Sequence, residues 1–173
     1  MTPLSGLKES IGLAVSQICD ENPTPKPWRK WRTAKSLKLL LKQVNAVAPG
    51  RKKDSDGTIG DAAHQSRSSD HNPWVWDKVA GKGVVTALDI TNDPAGQCDC
   101  EVLARSLVDS KDQRIKYLIW NRQIINSSPI DGTAAWIWRP YNGANPHNKH
   151  MHISVKCNKE LYDDMDNWVI RTS

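Results

Sequence analysis

Apolar residues recur at helical spacing in two segments of the chain. Residues 34–48 carry apolar side chains in the i, i+3, i+4, i+7 pattern, with lysines on the other face, and Pro49-Gly50 follows. The apolar positions are Leu37, Leu40, Leu41, Val44 and Val47. Residues 100–108 show a similar pattern, with Asp99 in position to cap the first turn. Both segments are predicted to be amphipathic helices.

Other segments have the shorter repeat of β-strands. Residues 84–90 are almost continuously apolar and predict one buried strand. Residues 117–120 and 123–125 predict two strands joined by a tight turn, and residues 136–138 predict another. In residues 151–155, apolar and polar side chains alternate, as in a half-buried strand.

These elements predict an α+β fold, because helices and short strands do not alternate in a regular βαβ order. The 173 residues fit one domain of ordinary size. Residues 1–33 are expected to form an N-terminal arm, with a short helix and a segment that contains Pro23, Pro25 and Pro27. Residues 34–173 are expected to form a single catalytic domain. The segment of residues 50–83 is expected to be mostly loop.

Positive charge is concentrated in one part of the chain. The net charge is +5, yet residues 26–53 contain ten lysines and arginines and no acidic residue. Such a segment suits a polyanion, which could be nucleic acid, anionic lipid or an anionic cell wall; the alternative is a solvated helix face. The sequence has no apolar stretch of the roughly 20 residues that a membrane helix needs. It has no signal-peptide pattern near Met1, and its four cysteines are expected to be free thiols, with a structural disulfide as the alternative.

Three of the five histidines lie close together near the end of the chain. His147, His150 and His152 fall within six residues, and the last two are separated by one position of a predicted strand. Side chains at i and i+2 of a strand point to the same face, so these two imidazoles are expected to lie side by side. This arrangement suits one metal ligand and one neighbouring acid/base group.

A carboxylate and a fourth histidine complete a possible metal site. Asp89 lies in an apolar strand, where a carboxylate is costly unless it is paired or binds a metal, although a half-exposed position is the alternative. His71, Asp89 and His152 would make a three-ligand set with an open fourth position, which is the layout of a hydrolytic zinc site. His150 is the nearest general base. His64 is the first substitute for His71, and is otherwise structural.

The order of these residues resembles the LAS group of zinc peptidases. The matching motifs are Ser69-x-His71, Ala87-x-Asp89 and His150-x-His152. The group includes lysostaphin-type endopeptidases, D-Ala-D-Ala carboxypeptidases and many phage endolysins. The spacing His147-x-x-His150-x-His152 also resembles that of the penicillin-insensitive murein endopeptidase. The resemblance covers residues 34–156, but the family interval between the histidine and the aspartate is shorter, so residues 74–83 are expected to be a loop beside the cleft.

The resemblance implies a small antiparallel sheet flanked by helices. It also implies that His71, Asp89 and His152 bind Zn²⁺ and that His150 acts as base or transition-state stabiliser. Further candidates for catalysis are Arg67, which could hold a carboxylate or an oxyanion, and His147. The candidates for substrate binding are Tyr141, Arg139, Ser69 and Trp138; the alternative for the tryptophan is packing in the core.

The expected function is therefore a zinc-dependent peptidase that cuts peptidoglycan stem or cross-link peptides. A monomeric endolysin would stay in the host cytoplasm until it reaches the cell wall, and a virion component is the alternative. Residues 26–53 would attract an anionic envelope, whereas nucleic acid is not the expected partner. Two other functions are open: an HNH-like endonuclease, suggested by residues 70–73, and a non-catalytic binding module with zinc closed by a fourth ligand.

Overall fold

The computed structural model describes residues 30–60 and 69–173, which form two sheets and three α-helices. The predicted α+β class is confirmed. The first sheet contains β1 (Trp31–Thr33), β2 (Val75–Asp77) and β3 (Lys82–Val85), with β3 in the centre. Strands β1 and β3 run parallel, and β2 and β3 form an antiparallel hairpin.

The second sheet has five antiparallel strands in the order β4-β8-β5-β6-β7. They are β4 (Ala87–Thr91), β5 (Ile115–Trp120), β6 (Gln123–Asn126), β7 (Arg139–Pro140) and β8 (His150–Val155). The helices are α1 (Lys35–Val47), α2 (Cys100–Ser110) and α3 (Lys159–Tyr162), and a 3-10 turn spans Pro94–Gly96.

The core lies between the five-stranded sheet and the helices. Leucine and isoleucine side chains from alternate strand positions pack against one face of α1 and one face of α2. The fully buried members include Leu37, Leu40, Leu88, Ile90, Leu103, Leu107, Leu118, Met151 and Ile153. Burying one such side chain contributes about 1.5–3 kcal/mol, so this face holds the sheet rigidly and leaves the other face for polar groups.

Both long helices and the strand pair of residues 115–126 confirm the sequence predictions. The Asp99 carboxylate accepts a hydrogen bond of 2.8 Å from the backbone N–H of Glu101, as expected of an N-cap. Two strand predictions and one loop prediction were wrong. Residues 84–90 form two strands in different sheets, separated by Thr86, and residues 74–83 form the β2–β3 hairpin and not a loop. Residues 136–138 are not a strand, because Trp136 has a positive φ of 63° and pairing begins only at β7.

An ion-pair network joins the first sheet to α3. The Arg32 guanidinium donates to Asp77 at 2.7 Å and to Asp163 at 2.6–2.7 Å, and Lys159 donates to the same two carboxylates. The backbone carbonyl of Thr86 accepts a hydrogen bond from the Val155 N–H in the second sheet. The Thr86 contact therefore connects the second sheet to the end of β3, and the ion-pair network connects α3 to the first sheet.

The expected boundary between residues 33 and 34 falls between β1 and α1, and residues 1–29 lie outside the described part. Cys98 and Cys100 are buried free thiols as predicted. Cys157 is disulfide-bonded, so the expectation of a free thiol was wrong there. Among the described residues, no helix has the length and apolar character needed to cross a membrane.

Candidate metal centre

Strand pairing places three of the predicted site residues on one face of the second sheet. Asp89 of β4 lies directly opposite His152 of β8, and Thr91 lies opposite His150. Cross-strand neighbours project to the same side of a sheet, and so do residues two apart in one strand. Met151, between the two histidines, points into the core on the other side. The alternation predicted from sequence is confirmed.

His71 reaches this face from the segment before β2 and is held by the loop of residues 57–60. Its Nδ1 lies 2.7 Å from the carbonyl oxygen of Thr58, and its own carbonyl accepts a hydrogen bond from Gly60. The same loop pairs with Asp89, because the backbones of Gly57 and Asp89 exchange two hydrogen bonds. One short loop therefore positions two of the three candidate ligands.

The three side chains converge on a small triangle of donor atoms. Nε2 of His71 lies 3.1 Å from Nδ1 of His152 and 3.3 Å from Oδ1 of Asp89, and the remaining side measures 3.0 Å. Ligand atoms bound tetrahedrally to zinc at 2.0–2.1 Å lie roughly 3.3 Å from one another. The buried group of His71, Asp89 and His152 could therefore hold a metal ion.

The outer hydrogen bonds leave both inner ring nitrogens available as ligands. Because Nδ1–H of His71 donates to a carbonyl, Nε2 carries the lone pair. On the other ring, Nε2 of His152 lies 2.9 Å from the Ser154 hydroxyl, which leaves Nδ1 facing the triangle. Tyr117 stacks on the His152 ring, with centroids 5.3 Å apart and an interplanar angle of 14°. Outer partners of this kind fix tautomer and orientation in metal sites.

The carboxylate at the centre is ionised. Burial alone would raise the pKa of Asp89, but hydrogen bonds with His152 and His71 outweigh burial and hold the pKa well below its usual value. Burial lowers the pKa of His71, yet the hydrogen bond and charge of Asp89 raise it above the ordinary value in the balance. His152 is more deeply buried, and its pKa is lowered. A negative carboxylate between two imidazoles attracts a cation.

The other two clustered histidines lie beside the triangle. Nε2 of His150 is 3.7 Å from Oδ2 of Asp89 and is buried without a hydrogen-bond partner among residues 30–60 and 69–173. The ring centroid of His147 lies 5.1 Å from that of His150 and 5.7 Å from that of His152. Burial, with the charges of His152 and His150, lowers the pKa of His147 to about 4, so this ring is neutral at pH 7.

A strained loop supplies His147. Its φ is +51°, in the left-handed region that residues other than glycine seldom occupy. The Asn145 side chain accepts a hydrogen bond from the His147 backbone N–H, and the Asn145 carbonyl lies 2.9 Å from Nδ1 of His147. This arrangement holds the ring against the site and leaves Nε2 as the free nitrogen for a proton or a ligand.

The predicted substrate-binding residues lie at different places. Tyr141 lies beside the site, since its ring centroid is 5.3 Å from that of His147. Ser69 is part of the scaffold, because its hydroxyl accepts from the His71 N–H at 3.3 Å. Trp138 and Arg139 line a separate groove near the turn between β5 and β6. Arg67 and His64 lie outside the described residues.

Sequence reasoning missed the groups that support the ligands. Ser154 continues the alternation of His150 and His152, so its place on the same face was readable from the strand pattern. Tyr117 depends on the pairing of β5 with β8, and Thr58 depends on a loop contact. Neither has a local sequence signal.

The predicted basic surface is narrower than the sequence suggested. Lys35, Lys38 and Lys42 are exposed on one face of α1. In contrast, Arg32 is committed to the ion-pair network, and the Arg51 side chain is fully buried against Asp56. The exposed lysines remain available to a polyanion.

No family model matches the chain, and no curated protein or solved structure shows significant similarity to it. The chemistry of the site therefore carries the functional argument.

Proposed function

We propose that the protein is a zinc-dependent peptidase that hydrolyses an amide bond in the stem or cross-link peptides of peptidoglycan, as endolysins do. The observation that carries the proposal is the triangle of His71, Asp89 and His152, with donor atoms 3.0–3.3 Å apart. Two further imidazoles border it. The five-stranded antiparallel sheet with helices on its apolar face supports the resemblance to the LAS group.

The donor set suits zinc better than magnesium or calcium. Two imidazole nitrogens and one carboxylate oxygen are ligands that zinc accepts, whereas the harder ions prefer an all-oxygen environment. Among residues 30–60 and 69–173, the group that could hold a metal has three members, and His147 is not one of them. Three protein ligands with a fourth position for substrate are the layout of a catalytic zinc site, which supports this proposal over a non-catalytic module with a closed centre.

His71, Asp89 and His152 would hold zinc, which would supply a Lewis acid for the scissile carbonyl and for the attacking water. His150 then serves as general base, because its buried Nε2 has no hydrogen-bond partner among the described residues and lies beside the ligand triangle. Oδ2 of Asp89 lies 3.7 Å from that nitrogen and does not occupy it. The proton that His150 takes from water passes to the leaving amine. The neutral His147 ring, whose Nδ1–H donates to the Asn145 carbonyl, presents an Nε2 that accepts a hydrogen bond from that amine.

The nuclease alternative has less support. An HNH-type unit places a metal-bearing helix after a hairpin, whereas the β2–β3 hairpin that follows His71 continues directly into β4. The metal group is completed by strands of a different sheet. This topology favours the peptidase.

The decisive experiment combines metal analysis with digestion of purified peptidoglycan. The protein is expected to contain about one zinc per chain and to release peptide fragments whose masses identify the cleaved bond. Chelator and Asp89→Asn should each abolish release, while Asp131→Asn, which changes an exposed turn carboxylate, should have no effect. Retained digestion in Asp89→Asn, or digestion that is insensitive to chelator, would contradict the proposal.

A further inference from the structure

A groove separate from the metal centre runs along both sides of Trp138. On one side is a cavity of about 450 Å³ between α2 and the start of β6, and on the other is a cavity of about 250 Å³. Trp138, Asn121 and Gln123 line both cavities, which therefore adjoin. The larger volume lies within the range of sites that bind small organic ligands.

The larger cavity combines an aromatic wall with planar polar groups. Its polar lining comprises Glu101, Arg105, Asp109, Asn121 and Gln123. Glu101 is held in place, since it accepts from Trp120 Nε1 at 2.9 Å and from Arg105 Nε at 2.6 Å. Guanidinium groups donate hydrogen bonds, carboxylates accept them and amides do both, and an indole ring offers a flat apolar face. A sugar ring, with hydroxyl edges and an apolar C–H face, matches this combination.

The charge of the larger cavity distinguishes between a sugar and a nucleic acid, whose bases also stack on tryptophan. Glu101 and Asp109 place two carboxylates on the α2 wall of the cavity, and Arg105 offsets one of them, so the wall keeps a net negative charge that repels the phosphates of a nucleic acid. The smaller cavity carries the guanidinium groups of Arg122 and Arg139 instead. A neutral sugar therefore fits the first cavity, and the carboxylates of an attached peptide fit the second.

The groove leads toward the metal centre through backbone contacts. The N–H groups of Asn121 and Arg122 donate to the carbonyls of His147 and Pro146, and the Tyr141 N–H donates to the Arg122 carbonyl. Tyr141 and His147 are in ring contact, and His147 lies beside His152. These contacts connect the turn that lines the groove to the loop that carries His147 beside the ligand triangle.

We infer that the groove along Trp138 is a glycan subsite that binds the N-acetylated amino-sugar strand of peptidoglycan, while the attached stem peptide extends over Arg139 and Tyr141 to the metal centre. This inference rests on the proposed function for the identity of the polymer. Glycan binding itself requires no hydrolysis, so the two proposals can fail separately.

The test uses the full-length, zinc-loaded protein and two peptide-free probes: a chito-oligosaccharide and glycan strands stripped of peptide by an amidase. Isothermal titration should show binding of both by the wild type. Trp138→Ala should weaken it about tenfold or more, the loss expected when a stacked ring is removed. Gln123→Ala, at an exposed strand position, should weaken it severalfold without disturbing the core. Trp76→Ala, at a tryptophan of the other sheet that is 36% exposed, is the matched control and should bind as the wild type does.

Several outcomes would overturn the inference. They are no saccharide binding by the wild type, equal binding by Trp138→Ala and Gln123→Ala, a comparable loss in Trp76→Ala, or displacement of the sugar by single-stranded DNA. Cleavage of a soluble stem peptide, measured on the same preparations, separates the two proposals. If wild-type protein fails to cleave it while Trp138-dependent sugar binding persists, the peptidase assignment fails and the glycan subsite stands.

Discussion

Asp89 and His152 face each other across two neighbouring antiparallel strands, with Oδ1 of the first 3.0 Å from Nδ1 of the second. The register of β4 and β8 fixes this distance, because the backbone hydrogen bonds between the two strands place the two residues opposite each other. His71 is the only one of the three that reaches the triangle from outside the sheet. Two ligands are therefore rigidly preset, and the third depends on the loop of residues 57–60.

Two neighbouring histidines should respond differently to removal. His152→Ala deletes a ligand atom and should abolish stoichiometric zinc binding. His150→Ala leaves the triangle complete, so the variant should retain zinc but lose about 100-fold or more in hydrolysis rate, the scale of general-base catalysis. Elemental analysis and rate measurement on the same samples check this. Loss of zinc in His150→Ala would place that residue among the ligands.

Ser154 should tune metal affinity without touching the metal. Its hydroxyl holds Nε2 of His152 at 2.9 Å and hydrogen-bonds with Tyr117. Ser154→Ala should weaken zinc binding about 10–100-fold, the usual effect of removing an outer partner of a histidine ligand. Competition with a chromogenic chelator measures the change. Ser110→Ala, which removes a hydroxyl from α2, is the control, and an equal loss there would indicate a general loss of stability.

Metal should stabilise the fold. The triangle is assembled from two strands of the second sheet and the segment before β2, so zinc is expected to bind the native chain and not the unfolded one. At a thousandfold excess over Kd, binding adds about 4 kcal/mol, which should raise Tm by roughly 10 °C in a chain of this size. Calorimetry with and without chelator checks this. Asp89→Asn should show little shift, and a full shift in that variant would mean that the ion binds elsewhere.

Acid should weaken the contact between the first sheet and α3. The hydrogen bond from Arg32 lowers the pKa of Asp77 far below its usual value, although burial opposes the shift. Because the folded pKa is depressed, the stabilisation is complete above about pH 4, the unfolded pKa, and is lost as pH falls through the folded pKa. Asp77→Asn should cost about 3 kcal/mol at pH 7.

The same variant should also flatten the pH dependence of unfolding below pH 4, because the titrating group has been removed. Denaturant unfolding at several pH values provides the measurement. An unchanged acid slope in Asp77→Asn would show that other carboxylates govern acid unfolding.

The lysines of α1 should assist binding to the envelope and not catalysis. Lys38→Glu with Lys42→Glu reverses the charge of an exposed face. Digestion of whole anionic walls should slow several-fold at low salt, and the difference should vanish at high salt, where such attraction is screened. Cleavage of a small soluble peptide should be unaffected. A salt-independent defect, or an equal defect on the small peptide, would contradict a steering role.

Local periodicity was enough to predict α1, α2, β8 and the hairpin of β5 and β6. It also placed His150 and His152 on one face, because strand alternation is independent of the rest of the fold. The ligand set was predicted from motif order, and its members do converge. The predictions of the helices, the hairpin and the strand face share a physical basis, since each depends on residues only a few positions apart.

The wrong predictions depend instead on contacts between residues far apart in the sequence. Residues 84–90 look like one strand because every position except Asp89 is buried, and burial on both faces conceals the switch between sheets at Thr86. The strand within residues 74–83 depends on pairing with β3, and β3 in turn pairs with β1 from far upstream. Arg32 and Arg51 looked like free surface charges until their distant carboxylate partners were known.

The switch at Thr86 has a consequence for protein engineering. A single residue separates the central strand of one sheet from the edge strand that carries Asp89, and its backbone also binds the carbonyl of Asp70, next to His71. Trimming the β2–β3 hairpin to the length of a simple loop would remove the support for two ligands at once. Grafting or minimising this candidate metal centre would therefore have to transplant both sheets as a single indivisible unit.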